Sequence, residues 1–348
     1  MKEFYNLFFQ IELKYETPNL FLKVMLIKIE MQLDAIDEVD ECGDLPDEKL
    51  ILSGSKKPAI YKHKATVDVT QAKKEIEIAR EEWDQIGTTN YVSTSALTQT
   101  SLISSDEVLN YFRQKDMKQY LKCIKPVKQR KGFEALKHWF AGPPKLHSNL
   151  MIERDLFFAI ALCPFDTSDE IHMRVLQTLY KTLTGTDRDC PRYGKHWEEL
   201  GFQGVDPGTD LRGVGFLGLV HLLSLILNPS TTDLAKEISQ LAKHERQNFP
   251  FCTMGINITR IVVETMREEV LNRECNRRTN IFQVTNDFYA GIFLRLFLIW
   301  RDQKKTIMDS GYVIKDLTNT AKKNSSVIFR ELFSYVKRFV PDKSTLLA

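Results

Sequence analysis

Residues 214–227 constrain the fold more than any other stretch. They are apolar on nearly every turn and carry one ionisable side chain, His221. A helix that is apolar all round has to be enclosed. The run falls short of the roughly 18–20 consecutive apolar residues of a membrane span, so it predicts a buried core helix entered at about Leu211. Residues 288–300, which carry Arg295, read the same way. Apolar spacing at i, i+3 and i+4 predicts further helices over 105–121, 133–140, 146–163, 168–184, 232–247, 250–273, 282–301 and 325–339. Ser105-Asp106-Glu107 offers a cap and an acidic first turn, while Gly142-Pro143-Pro144 and Gly185 offer stops. Strand-like alternation is confined to 314–317, too short to matter. The expected fold class is all-α, with about eight to ten helices around one core.

The chain has 348 residues, 43% of them hydrophobic, enough for one large domain or two smaller ones. Residues 1–33 mix apolar and charged side chains without the pattern of a signal peptide. An acidic run covers 34–48 and reads as a solvated linker. A mostly polar stretch with one helix over 71–85 follows, then a Ser/Thr-rich segment over 88–105. Residues 1–104 are therefore expected to be a poorly structured, largely flexible extension and linker, and 105–345 the helical body. A net charge of +2 gives no reason to expect nucleic acid. Six cysteines without short paired spacings fit reduced thiols in a cytosolic protein. Residues 122–137 are basic (Lys122, Lys125, Lys128, Arg130, Lys131, Lys137). They read as a solvated surface, or as peripheral contact with phosphoinositide head groups or an acidic partner.

The apolar helix is fed by a polar loop, residues 196–213, and loops held on rigid elements often carry function. The loop contains Trp197, Phe202-Gln203, Asp206-Pro207, Thr209, Asp210, Arg212 and four glycines, Gly201, Gly204, Gly208 and Gly213. Arg212 has two readings. Its guanidinium can brace the turn by pairing with Asp206 or Asp210. Alternatively, it faces a partner's phosphates, as a GTPase requires when charge develops on the β/γ oxygens. The residues alone leave both open. Gly213-x-Gly215-x-x-Gly218 spells the dinucleotide fingerprint, but no strand precedes it and no second strand follows, so these read as packing glycines. Cys190 and His196 lack further ligands at metal-site spacing, so no metal site is expected. His221 reads as a hydrogen-bonded core histidine, and the charged cluster at 273–280 as a structural helix end. A nucleophile elbow, a phosphate-binding P-loop and a His-Glu-x-x-His pair are absent. The chain shows no catalytic machinery of its own.

Trp197, Gly201-Phe202-Gln203-Gly204, Asp206-Pro207, Thr209-Asp210, Arg212-Gly213 and Gly215 together resemble the signature of the ELMO domain-containing protein family. Residues 175–180, 248–252 and 309–313 carry the similarity further, so that it covers roughly 105–345, with the domain at about 172–328. The resemblance implies a GTPase-activating protein for Arf-family and Arf-like small GTPases in their GTP-bound state. Such a protein regulates an enzyme without being one and acts in the cytoplasm in association with membranes, cytoskeleton or cilia. Arg212 matches the arginine regarded as catalytic, the arginine finger. Gln203 and Asp210 would hold the loop or touch the switch regions, with Trp197 and Phe202 as core anchors. No cofactor belongs to this chain, since GTP and Mg²⁺ come with the partner. Scaffold relatives share the domain but lack that arginine, so the alternative is a non-catalytic GTPase-binding module in which Arg212 is structural. Gly208 stands where the family pattern has alanine, which implies a looser turn.

Overall fold

The computed structural model describes residues 99–124 and 142–338. The acidic run, the helix over 71–85, the short helix over 133–140 and all of the basic stretch after Ile124 lie outside them. Twelve α-helices and three short 3-10 helices make up the described residues, with no strand among them. In chain order they are α1 Ser105–Gln114, α2 Lys118–Lys122, α3 Met151–Leu162, α4 Glu170–Thr184, α5 His196–Glu199 and α6 Leu217–Leu227. Then follow α7 Thr232–Ala242, α8 Phe251–Arg267, α9 Asn272–Arg278, α10 Ile281–Asp302, α11 Ser310–Lys323 and α12 Ser325–Lys337.

The apolar run is the hub. Every α6 residue except Leu227 is buried, and α8, α4, α7, α10, α1 and α3 all pack on it. Each fully buried leucine there contributes about 1.5–3 kcal/mol of hydrophobic stabilisation. Close approach is built in at Gly255 of α8, where a Cβ would come within 2.6 Å of Leu222 Cδ2 and 2.5 Å of Tyr289 Oη. His221 is enclosed as expected: its ring stacks on Tyr289 at 4.8 Å and Nδ1 meets Thr259 Oγ1 at 3.1 Å. The Thr259 hydroxyl donates to the Gly255 carbonyl, which leaves its oxygen to accept from Nδ1–H. Burial pushes the His221 pKa down to about 3, so the ring is neutral.

Several boundaries differ from the periodicity. Ser104, not Ser105, caps α1, its extended backbone letting Oγ accept from Glu107 N at 3.1 Å. The helix expected over 105–121 breaks at Lys115, whose backbone turns extended, and resumes as α2. The helix expected over 250–273 stops at Arg267, because Glu269 takes a left-handed φ of 67°. Helix α11 was not expected. Its buried stripe is only Ser310, Val313, Leu317 and Ala321, too narrow and polar to stand out.

The folded body also starts before residue 105. Thr100 donates through N and Oγ1 to the Asp189 carboxylate at 3.0 and 2.6 Å, and Ile103 N donates to Thr178 Oγ1 at 3.1 Å. Ile103 is buried. Residues 99–104, assigned by composition to a flexible linker, are thus pinned against α4 and the loop that follows it.

Candidate functional site

The chain turns sharply before α6. Pro207–Gly213 forms a 3-10 helix whose axis makes 109° with that of α6. Arg212 therefore stands on its own short element rather than at the entrance of one continuous helix from Leu211. Local chemistry explains the break. Asp206 is extended and its Oδ1 accepts from Gly208 N at 2.8 Å, while Pro207 fills a first-turn position where no N–H is needed. At the far end the Leu211 carbonyl accepts from both Val214 N and Gly215 N. Gly215 adopts φ 55°, and a Cβ there would lie 2.5 Å from the Ala161 carbonyl oxygen. Phe216 N then donates to Cys163 O at 2.7 Å, tying the elbow to the end of α3.

Behind the elbow, Phe216 stacks on His172 at 4.0 Å and meets Phe112 and Phe165. His172 Nδ1 accepts from Asp166 N at 3.0 Å, and burial holds its pKa down at about 4. Asp169 caps α4 and also receives Lys115 Nζ at 2.7 Å and the Tyr111 hydroxyl.

The loop braces itself with residues other than Arg212. Arg192 Nη2 bonds Asp206 Oδ1 at 2.6 Å, and its guanidinium lies over the rings of Phe165 and Tyr193 at 4.6 and 4.5 Å. Gly208 sits beside that pair; a Cβ there would press within 3.1 Å of Asp206 Oδ1 and 3.2 Å of Arg192 Nη2. The departure from the family pattern thus leaves room for the ion pair, and the Gly208 amide is itself held by Asp206. Asp210 turns inward: Oδ2 accepts from Gln203 N at 2.7 Å and lies 3.4 Å from Thr253 Oγ1. Thr209 Oγ1 donates to the Asp206 carbonyl at 2.8 Å. Trp197 is fully buried, donates through Nε1 to Arg192 O at 3.0 Å and meets the buried ring of Phe202 edge-on. Pro207 is buried as well, whereas Gly204 faces open space.

The loop also joins α8 through the main chain. Leu200 O and Gly201 O accept from Cys252 N and Thr253 N at 3.3 and 2.9 Å, satisfying amides in the first turn of α8. The backbones are so close that a Cβ on Gly201 would fall 2.2 Å from Phe251 N.

Arg212 differs from all of these. It is exposed, and among the described residues it makes no side-chain hydrogen bond or salt bridge. Neither Asp206 nor Asp210 is braced by it. Trp197, Phe202, Asp206, Pro207, Thr209 and Asp210 converge as the mount, and Gln203 joins them through its amide. Two residues escaped the sequence reading: Arg192, which lay in a stretch taken simply as loop, and Arg260 of α8, whose guanidinium covers Gly213. No spacing rule signals either.

The other motifs fall away from the site. Gly213, Gly215 and Gly218 are flanked by the 3-10 helix and α6, not by strands. Gly218 is crowded by Leu211, Val214 and Ile256. Cys190 Sγ faces Gln177 Oε1, and His196 Nε2 meets the Pro191 carbonyl. In the 273–280 cluster Glu274 pairs with Arg277 and Arg278, and Arg278 also pairs with Asp287 and lies over Phe329 and Phe333.

Comparison with known proteins places the chain in a family. The ELMO/CED-12 family model matches residues 155–314, from α3 into α11. The chain is 47% identical over 272 residues to ELMO domain-containing protein 3 of Bos taurus, covering 77% of this chain and 71% of that protein. The human protein of the same name is 46% identical over 276 residues, covering 78% of this chain and 72% of its own length. ELMO domain-containing protein 2 of Mus musculus is 32% identical over 108 residues, which is 31% of this chain and 36% of that one. No solved structure matches. The chain belongs to the ELMO/CED-12 family. Membership supports a GTPase-related regulatory role in general terms.

Proposed function

We propose that this protein is a GTPase-activating protein for Arf-family or Arf-like small GTPases and that Arg212 is the arginine finger it inserts beside the γ-phosphate. The observation that carries the reading is the contrast within one short element. Asp206 and Asp210 are both engaged in holding the loop, while the Arg212 guanidinium is exposed and has no partner among the described residues. A rigid mount with one unengaged cation suits a site where negative charge develops on phosphate oxygens in the transition state. A finger supplied in trans accelerates hydrolysis on the order of 10³–10⁵-fold.

Single-turnover GTP hydrolysis, screened across Arf-family and Arf-like GTPases, tests it. The wild-type chain is expected to accelerate at least one of them, and Arg212→Ala and Arg212→Lys to lose that acceleration while still binding the GTP-bound partner. An Arg212→Ala protein that activates as well as wild type ends the finger reading. Binding without acceleration by the wild type makes the chain a non-catalytic GTPase-binding module instead.

A further inference from the structure

Arg260 belongs to α8, the helix on which the Pro207–Gly213 segment packs. Its guanidinium lies against Gly213, where a Cβ would come within 3.1 Å of Nη2, 3.8 Å of Cζ and 3.9 Å of Nε. Gly213 has no left-handed φ that would call for glycine. What the missing side chain provides is room for Arg260. The arginine is half-buried, and like Arg212 it makes no hydrogen bond or salt bridge with any described residue. The carboxylates of the segment have other partners, Asp206 the Arg192 guanidinium and Asp210 the Gln203 amide. One guanidinium is thus packed on Gly213 and a second belongs to its chain neighbour, and neither pairs with a carboxylate among the described residues. A half-buried guanidinium without a counter-anion, next in space to the segment that carries a second one, favours binding of an anion.

We infer that Arg260 is a second phosphate-contacting residue, and that with Arg212 it forms a dicationic site for the terminal phosphates of a nucleoside triphosphate held by the partner. This rests on the reading of Arg212 proposed above and adds to it. Each guanidinium presents paired donors in a fork that matches two phosphate oxygens. The two forks come from different elements, the Pro207–Gly213 segment and α8. Arg260 lies half-buried against Gly213, whereas Arg212 is exposed.

The first test uses the full chain and inorganic tripolyphosphate as probe. Millimolar tripolyphosphate is expected to raise the melting temperature of the wild type. Arg260→Gln and Arg212→Gln are each expected to lose most of that rise while melting like wild type without the probe. Arg330→Gln, at an exposed arginine of α12, controls for general attraction of polyanions and should respond as wild type. An Arg260→Gln protein with the full wild-type rise overturns the inference, as does an Arg330→Gln protein that loses the rise equally.

The second test is single-turnover hydrolysis with the GTPase found in the screen. Arg260→Gln should slow stimulated hydrolysis by about 10²-fold, with binding of the GTP-bound partner retained. If Arg260→Gln activates fully while Arg212→Ala is inactive, Arg260 is not a phosphate contact, yet the proposed function stands. If Arg212→Ala activates fully, the proposed function fails, and the tripolyphosphate series alone decides whether the dication exists.

Discussion

Removing the guanidinium of Arg192 would strand the Asp206 carboxylate, the cap of the 3-10 helix, and uncover the faces of Phe165 and Tyr193. The Arg192 side chain is 11% exposed, so solvent replaces little of what is lost. Arg192→Gln is expected to destabilise the protein by about 1–3 kcal/mol, read from urea unfolding. Arg212→Gln touches no protein partner and should stay within about 0.5 kcal/mol of wild type. If the two variants lose equal stability, Arg212 is a brace after all. At this scale the sequence was partly legible. Trp197, Phe202, Asp206, Pro207 and Asp210 stand out because turn and cap chemistry is local. Arg192 and Arg260 do not, because Asp206 and Gly213 are reached through folding that brings separate segments together.

Helix α6 was visible at once, since an unbroken apolar run has few alternatives to burial. Its true start was not. The apolar pattern continues through residues 211–216, where hydrophobicity carries no trace of the 109° elbow. The elbow depends on a backbone state at Gly215 and on how near that residue lies to Ala161. Gly185 offers a control, for it too is left-handed, at φ 72°, but has nothing within 4 Å of its missing Cβ. Gly185→Ala should cost only the conformational penalty, about 1–2 kcal/mol. Gly215→Ala adds an overpacking cost of about 1–3 kcal/mol, because its neighbour is backbone and cannot swing aside. Thermal melts of the two variants compare them directly. Equal losses would mean that the elbow is not set by contact with α3.

Two buried histidines make the whole molecule sensitive to acid. Burial lowers the His172 pKa to about 4 against the pull of Asp169, and the His221 pKa to about 3. Unfolded, each protonates near pH 6.5, so below that pH the unfolded chain binds more protons. Their stabilisation is complete above about pH 6.5 and is lost as pH falls toward 4, at up to about 1.4 kcal/mol per pH unit for each ring. Asp169 is also destabilised by burial, yet its bonds from Lys115 and Tyr111 bring its pKa to about 2, so its contribution disappears only in stronger acid. Unfolding free energies measured in urea from pH 7.5 down to 4.5 should therefore decline steadily below pH 6.5. His172→Gln should roughly halve the slope, and a flat profile between pH 6.5 and 5 would contradict the assignment. The junction between the loop and α8 has a different kind of consequence. Its main-chain part is the pair of carbonyls of Leu200 and Gly201 meeting amides of α8, and main-chain atoms are the same whatever side chain a codon specifies. These hydrogen bonds therefore do not depend on which side chains stand at Leu200 or Cys252, whereas Gly201 has no room for one, a Cβ there falling 2.2 Å from Phe251 N. Side chains on the loop's outer face can change without disturbing this pair of main-chain bonds.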